Sequence, residues 1–249
     1  FRETVVKAFK KKDDGTVVGE LTSFQAAMVS VSAIVGSGNI AGVATAIVLG
    51  GPGAIVWMVL AAFVGMATKF AEIALGVRYR AVHQDGTVSG GAMYYLADGL
   101  GQKWLGVLFS ILVIPFAFVI SGVVDTNTIA LTLNERYSVP TLATGIFLAV
   151  LTGIIVFGGI KRIGSVSEKL VPFMALFYVV LGIGVVLLNV QRLPGVLQSI
   201  FEGAFNPAAF TGGIIGSLFV SMQKGVSRGI FSNEAGLGTG SIAHACADT

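Results

Sequence analysis

Charge is scarce in this sequence. Of its 249 residues only 12% are charged, against roughly 25% in an ordinary soluble domain, so soluble α/β folds fit poorly. Cysteine is scarcer still. Cys246 stands alone, which excludes an intrachain disulfide and a thiolate metal cluster. H-E-x-x-H does not occur, and no pair of aspartates sits in neighbouring apolar runs, so the chain does not read as an enzyme. The net charge is +3 and the pI near 9.1. The basic residues are scattered between apolar runs rather than clustered, which argues against a nucleic-acid partner. No signal peptide is visible, and the chain opens at Phe1 in the manner of a cut end.

What the chain does have is apolar surface. Hydrophobic residues make up 54% and mean hydropathy is +0.85. They fall in runs of about twenty, the length a helix needs to cross a bilayer core of roughly 30 Å. Six spans are expected, at 21–49, 53–77, 104–133, 141–159, 171–188 and 210–230. The fold class is therefore all-α integral membrane, with 1–20 as a leading segment and 21–249 as a transmembrane domain. Gly50, Gly51, Pro52 and Gly53 predict a tight turn between the first two spans. Pro140 and Pro172 are expected at span starts, where a missing amide is tolerated.

Lysine and arginine orient the bundle. Arg2, Lys7, Lys10, Lys11 and Lys12 lead the chain; Arg78, Arg80 and Lys103 follow the second span; Lys161, Arg162 and Lys169 follow the fourth. The alternate connections hold none, then Arg136, then Arg192. Positive-inside reasoning places residues 1–20 in the cytoplasm of a multi-pass protein of the cell (inner or plasma) membrane. The first span then runs outward and the sixth inward, with Lys224 and Arg228 near its inner end. Opposed first and sixth spans are what an inverted repeat of five helices each would produce.

The first span is interrupted. GSGNIAG at 36–42 places three glycines and two small polar residues inside an apolar run. Gly38 lies about 16 Å from the outer end at Leu49, near the midplane. Unwound backbone survives in hydrocarbon only where it lines a protein cavity. An outer half-helix starting near Asn39 would turn free amides toward an anionic group, while nearby carbonyls could hold a cation. A small-residue packing surface is the alternative, since Gly38 and Gly42 form a GxxxG pair, but Ser37 and Asn39 add nothing to tight packing. The same stretch matches G-x-G-x-x-A. It lacks the βαβ context of a dinucleotide site, so that motif is set aside.

Asp125 is a second anomaly, about 15 Å before Glu135 at the outer end of the third span. A carboxylate at a helix centre costs roughly 2.5–3.5 kcal/mol on insertion scales and should face a pathway or a partner. Ser121, Asp125, Thr128 and Thr132 share a helical stripe, which also suits a structural hydrogen-bond network. Lys69 and Glu72, three apart, are expected to pair on one face of the second span. SNEAGLGTG at 232–240 gathers Ser232, Asn233, Glu234 and Thr239 among glycines. It reads either as a second broken helix end beside a transport path or as a cytoplasmic turn. His244 reads as structural, and His83 as a loop residue without a ligand set.

Four segments carry a resemblance: GNIAGVATAIVLGGPGA (38–54), GMATKF with Glu72 (65–72), GGAMYYLADGLG (90–101) and GVSRGIFSNEAGLGTG with AHA (225–245). Together they resemble the alanine or glycine:cation symporter family. The resemblance implies a five-plus-five inverted-repeat (leucine-transporter-like) fold, of which this chain would hold the first repeat and the sixth helix only. It implies sodium-coupled symport of a small neutral amino acid, alanine or glycine, with sodium as coupling ion, no other cofactor, and the lipid bilayer as surroundings. Substrate is expected at Ser37, Gly38, Asn39, Asp125 and Thr128, and the cation at Val35 and Gly36. Ser232, Asn233 and Glu234 are expected along the transport path. The family more often has threonine at Ser37. VDTNTIA (124–130) resembles a family stretch that usually carries glutamine at Asp125, which bears on substrate identity. Members continue beyond this point, so the chain is expected to be a fragment. An ion channel or structural membrane subunit is the rival class.

Overall fold

The computed structural model describes residues 19–117, 122–205 and 216–248. The expected segments 1–18, 118–121 (with Ser121), 206–215 and Thr249 lie outside them. The described residues are mostly helical, and the buried set is unlike that of a soluble core. Fully covered positions are small, such as Ala26, Ala54, Ala204, Ser221 and Ser241, whereas Phe157 is 94%, Leu188 86% and Val48 82% exposed. Small residues inside and large apolar ones outside suit helices that pack closely against each other and meet lipid elsewhere.

The first span is two helices, α1 (Ser23–Ile34) and α2 (Ser37–Gly50). A capping box starts α1: Thr22 Oγ1 accepts from the Gln25 amide and Gln25 Oε1 accepts from the Thr22 amide, both at 3.1 Å. Gly51, at φ 76°, ends α2, and α3 (Ala54–Arg78) follows. The Gly-Gly-Pro-Gly turn is thus where expected. A two-stranded antiparallel hairpin comes next, β1 (Ala81–Val82) with β2 (Val88–Ser89). Its tip is fixed by the Thr87 hydroxyl and amide donating to Asp85 Oδ1. Those two bonds hold the Asp85 carboxyl below its ordinary range.

The short α4 (Ala92–Tyr94) runs into a π turn, Tyr95–Gly99. The third span departs from a continuous helix over 104–133. It is described as α5 (Lys103–Phe116) and α6 (Val124–Tyr137), with π geometry at 117 and 122–123. Pro115 inside α5 has no amide for the ladder and crowds the preceding turn, a cause of wide or bent helix. Pro140 caps α7 (Thr141–Val156), as expected.

Pro172 does not start a span. It lies inside α8 (Gly159–Leu188), a 30-residue helix. Lys161, Arg162 and Lys169 therefore sit on helical turns rather than in a loop, because lysine, arginine and glutamate are good helix formers. A 3₁₀ turn, Val190–Arg192, leads to α9 (Leu193–Phe205), an amphipathic helix missed among the apolar runs. The described part of the sixth span is α10 (Gly216–Asn233), and α11 (Thr239–Ala245) follows. Among the described residues, Ser23–Gly50, Ala54–Arg78 and Gly159–Leu188 are long and apolar enough to cross a membrane; Lys103–Phe116 and Thr141–Val156 are shorter apolar helices.

The chain forms two compact units, and it crosses between them at Ala33–Ile34, Lys69–Phe70, Pro172–Phe173 and Gly236–Leu237. In the unit holding Ile34–Lys69 and Phe173–Gly236, α10 packs between α2 and the first part of α3. A β-carbon on Gly50 would stand 3.4 Å from Ser221 Cα, and one on Gly42 3.8 Å from Arg228 Cδ, so α2 and α10 run antiparallel. Gly225 abuts Ala54 and Trp57, and Gly229 abuts Met58 and Ala61, so α3 and α10 run parallel. These relative directions match those read from the basic residues. Trp57 Nε1 donates to Ala204 O at 3.3 Å, tying the end of α9 to α3.

In the other unit the chain before α1 meets the chain after α11. The amides of Glu20 and Leu21 donate to Cys246 O, and Asp248 returns a bond to Leu21 O at 2.7 Å. Arg80 donates to the carbonyls of Ala245 and Ala247, at 3.1 and 2.6 Å, and so covers the carboxyl end of α11. Gln25 Nε2 donates to Glu168 Oε2 at 2.7 Å, joining α1 to the start of α8.

Two predictions follow from this packing. Gly225→Val is expected to cost about 1–3 kcal/mol through overpacking, read as a lowered thermal midpoint in detergent. Gly182→Ala, whose β-carbon meets nothing within 4 Å, should leave the midpoint unchanged; equal effects would contradict the α3–α10 contact. Burial, with the Glu20 charge added and Arg80 opposing, pushes the Cys246 thiol up. At neutral pH a maleimide should therefore label it roughly tenfold more slowly than an exposed cysteine, with denaturation restoring the rate. Fast labelling of the folded protein would contradict its burial.

Candidate functional site

Two helix breaks give this chain its candidate site. At the first, Val35 and Gly36 leave the helix and α2 begins at Ser37, two residues before the position expected from sequence. Gly36 is extended, with φ −125° and ψ −171°, and no side chain caps α2. The Asn39 amide turns back to Gly36 O at 3.1 Å. Gly36 at the N-cap brings no side chain to accept from the opening amides of α2, and a helix end leaves the closing carbonyls of α1 without donors in their own helix. A helix of 14 residues adds the positive end of its dipole at the same point. Such a terminus can take a carboxylate, and carbonyl oxygens are the donors a hard cation requires. Val35, Gly36, Ser37, Gly38 and Asn39 all stand on this break, and the Asn39 side chain is half-buried.

The second break follows α10. Asn233 ends the helix, and Glu234 adopts a left-handed φ of 49°. Gly236 and Gly238 follow with φ 86° and 79°, and α11 starts at Thr239. Residues 234–238 are thus a turn between two helices. One face of α3 cradles it. A β-carbon on Gly65 would stand 3.2 Å from Ala235 Cβ, and Thr68 Cγ2 approaches Gly236. Lys69 Nζ donates to Glu234 O at 3.2 Å. The Ser232 hydroxyl is buried without a hydrogen-bond partner among the described residues, leaving it able to serve an incoming group.

Two apolar clefts flank this second break, of about 440 and 380 Å³, and both are lined by Gly65 and Asn233. The larger also reaches Ile34, beside the first break, and Lys69. Ile34 and Asn233, the last residues of the helices that lead into the two breaks, therefore line one cleft.

Asp125 and Thr128 belong to the other unit. Asp125 is half-buried in the first turn of α6, directly after the π-helical residues 122–123. Two members of the expected polar stripe bond their own helix. Thr128 and Thr132 donate to the carbonyls of Val124 and Thr128, at 2.9 and 2.7 Å, four residues back on their own helix. Lys69, expected to pair with Glu72 on α3, donates to an acceptor 165 residues away. The spacing Gly65-x-x-Thr68-Lys69, one helix face with a small residue and a cation, was the signal for it. No group of three or more histidine, cysteine, aspartate or glutamate side chains suited to a metal occurs among the described residues.

Comparison with known proteins gives this geometry a setting. The profile of the sodium:alanine symporter family matches residues 1–249. The chain is 46% identical over 246 residues to the sodium/alanine symporter AgcS of Methanococcus maripaludis, covering 97% of this chain and 54% of that one. It is 45% identical over 240 residues to the putative sodium/proton-dependent alanine carrier protein YrbD of Bacillus subtilis, covering 96% and 48%. The probable sodium/glutamine symporter GlnT of the same organism is 39% identical over 229 residues, covering 92% and 47%. The chain spans about half the length of these curated relatives. Family membership and the apolar helices make it part of a multi-pass membrane protein. Matched by that profile over residues 1–249, this chain belongs to the sodium:alanine symporter family.

Proposed function

We propose that the protein carrying this chain is a sodium-coupled symporter that brings small neutral amino acids, alanine or glycine, into the cell. The observation that carries the proposal is the uncapped break at Val35–Gly36 within an apolar span. The α2 amides from Ser37 to Asn39 would receive the substrate carboxylate, and the carbonyls of Val35 and Gly36 would hold sodium. A zwitterion and a cation then share one unwound stretch, so each would raise the affinity of the other. Asp125 and Thr128 would complete the substrate site from α6, and Ser232, Asn233 and Glu234 would line the path. The inverted-repeat fold supplies the motion: the broken first and sixth spans would rock against the third, fourth and fifth. Relatives named for alanine and for glutamine support an amino-acid substrate class.

The test is uptake of labelled alanine and glycine by proteoliposomes holding the complete gene product, with and without an inward sodium gradient. Gradient-dependent accumulation is expected. Conductance without substrate-dependent flux would instead mark an ion channel. Asn39→Ala should abolish uptake at unchanged membrane expression, and wild-type-like uptake by that variant would remove the first break from the site. Asp125→Gln should keep uptake and shift substrate preference, whereas loss of folding would make Asp125 structural.

A further inference from the structure

Lys69 stands where the second break needs a positive charge. Glu234, just beyond α10, holds a left-handed backbone at φ 49°, which residues with a long side chain seldom adopt unless their surroundings impose it. The last carbonyls of α10 have no helical donors, and the negative end of the helix dipole falls there. Lys69 is half-buried, and its Nζ donates to the Glu234 carbonyl at 3.2 Å. Four residues back on the same face of α3, Gly65 gives Ala235 room to approach, and Thr68 covers Gly236 between them. One face of α3 thus holds the three successive residues Glu234, Ala235 and Gly236 by an ammonium, a missing side chain and a methyl group.

We propose that Lys69 is a positioning residue for the second break. Its ammonium fixes the left-handed Glu234 and so sets how Ser232 and Asn233 face the transport path, without itself touching substrate. The part concerning transport rests on the symporter reading; the part concerning the backbone does not. Losing a charge-assisted bond of this kind frees the segment by roughly tenfold in its local opening equilibrium.

The experiment compares wild type, Lys69→Gln and Lys69→Arg in the complete gene product, reconstituted in nanodiscs. Hydrogen exchange of amides 230–236 is read against that of the α6–α7 hairpin. Lys69→Gln should speed exchange at 230–236 by about tenfold and leave the hairpin unchanged, while Lys69→Arg should restore protection. In sodium-driven uptake, Lys69→Gln should raise the KM for the amino acid with little change in maximal rate. Unchanged exchange at 230–236 would overturn the proposal, and so would an equal rise throughout the protein, since that marks a general stabiliser. Altered exchange in a protein that transports neither alanine nor glycine would leave the positioning role standing and remove the symporter reading.

Discussion

A helix broken inside an apolar bundle exposes backbone groups that hydrocarbon cannot satisfy, each unpaired group costing several kcal/mol. Among the described residues the chain has one such break in its first span, after Ile34, and a second interruption after Asn233, and much of the surrounding packing answers to them. At the second, the protein supplies its own partner, Lys69, from a neighbouring helix. At the first, no side chain caps the new helix. The contrast is informative. The second break is held by the protein itself, whereas the first, where Gly36 brings no side chain, is where we propose that substrate and sodium bind.

Packing serves the same end. Glycines at 50, 225 and 229 let α10 lie closely against α2 and α3, so the helix that ends in the second break is held beside the helix that starts at the first. Without a hydrophobic driving force between helices in lipid, close backbone approach is what remains to hold them. The exposed apolar residues are then surface suited to lipid rather than an unfilled core. Around the far side of the second break, Arg80 closes α11 by its two carbonyl bonds.

Much of this was legible in the sequence because it follows from local chemistry. GSGN marked the first break to within two residues, and Gly-Gly-Pro-Gly marked the turn where Gly51 takes φ 76°. Hydropathy placed the second span within one residue at each end. The elements that escaped depend on more than local pattern. Lys161, Arg162 and Lys169 signal an interfacial region but not whether it is loop or helix, so α8 began earlier than expected. The amphipathic α9 carries a mixed face that a search for apolar runs passes over. The Lys69 contact joins residues far apart in the chain, and its acceptor is a backbone oxygen that every residue possesses. The π geometry around 117 and 122–123 had a signal in Pro115, which the apolar run obscured.

The account's central claim is that one unwound stretch, from Val35 to Asn39, binds an amino acid and sodium together. Equilibrium binding of labelled alanine to the purified complete gene product, at graded sodium concentrations, tests it most directly when paired with the converse titration of sodium at graded alanine. The account predicts that sodium tightens alanine binding and that alanine tightens sodium binding by the same factor, as linkage requires of a shared site. Alanine affinity independent of sodium, in protein that still binds both, would contradict it.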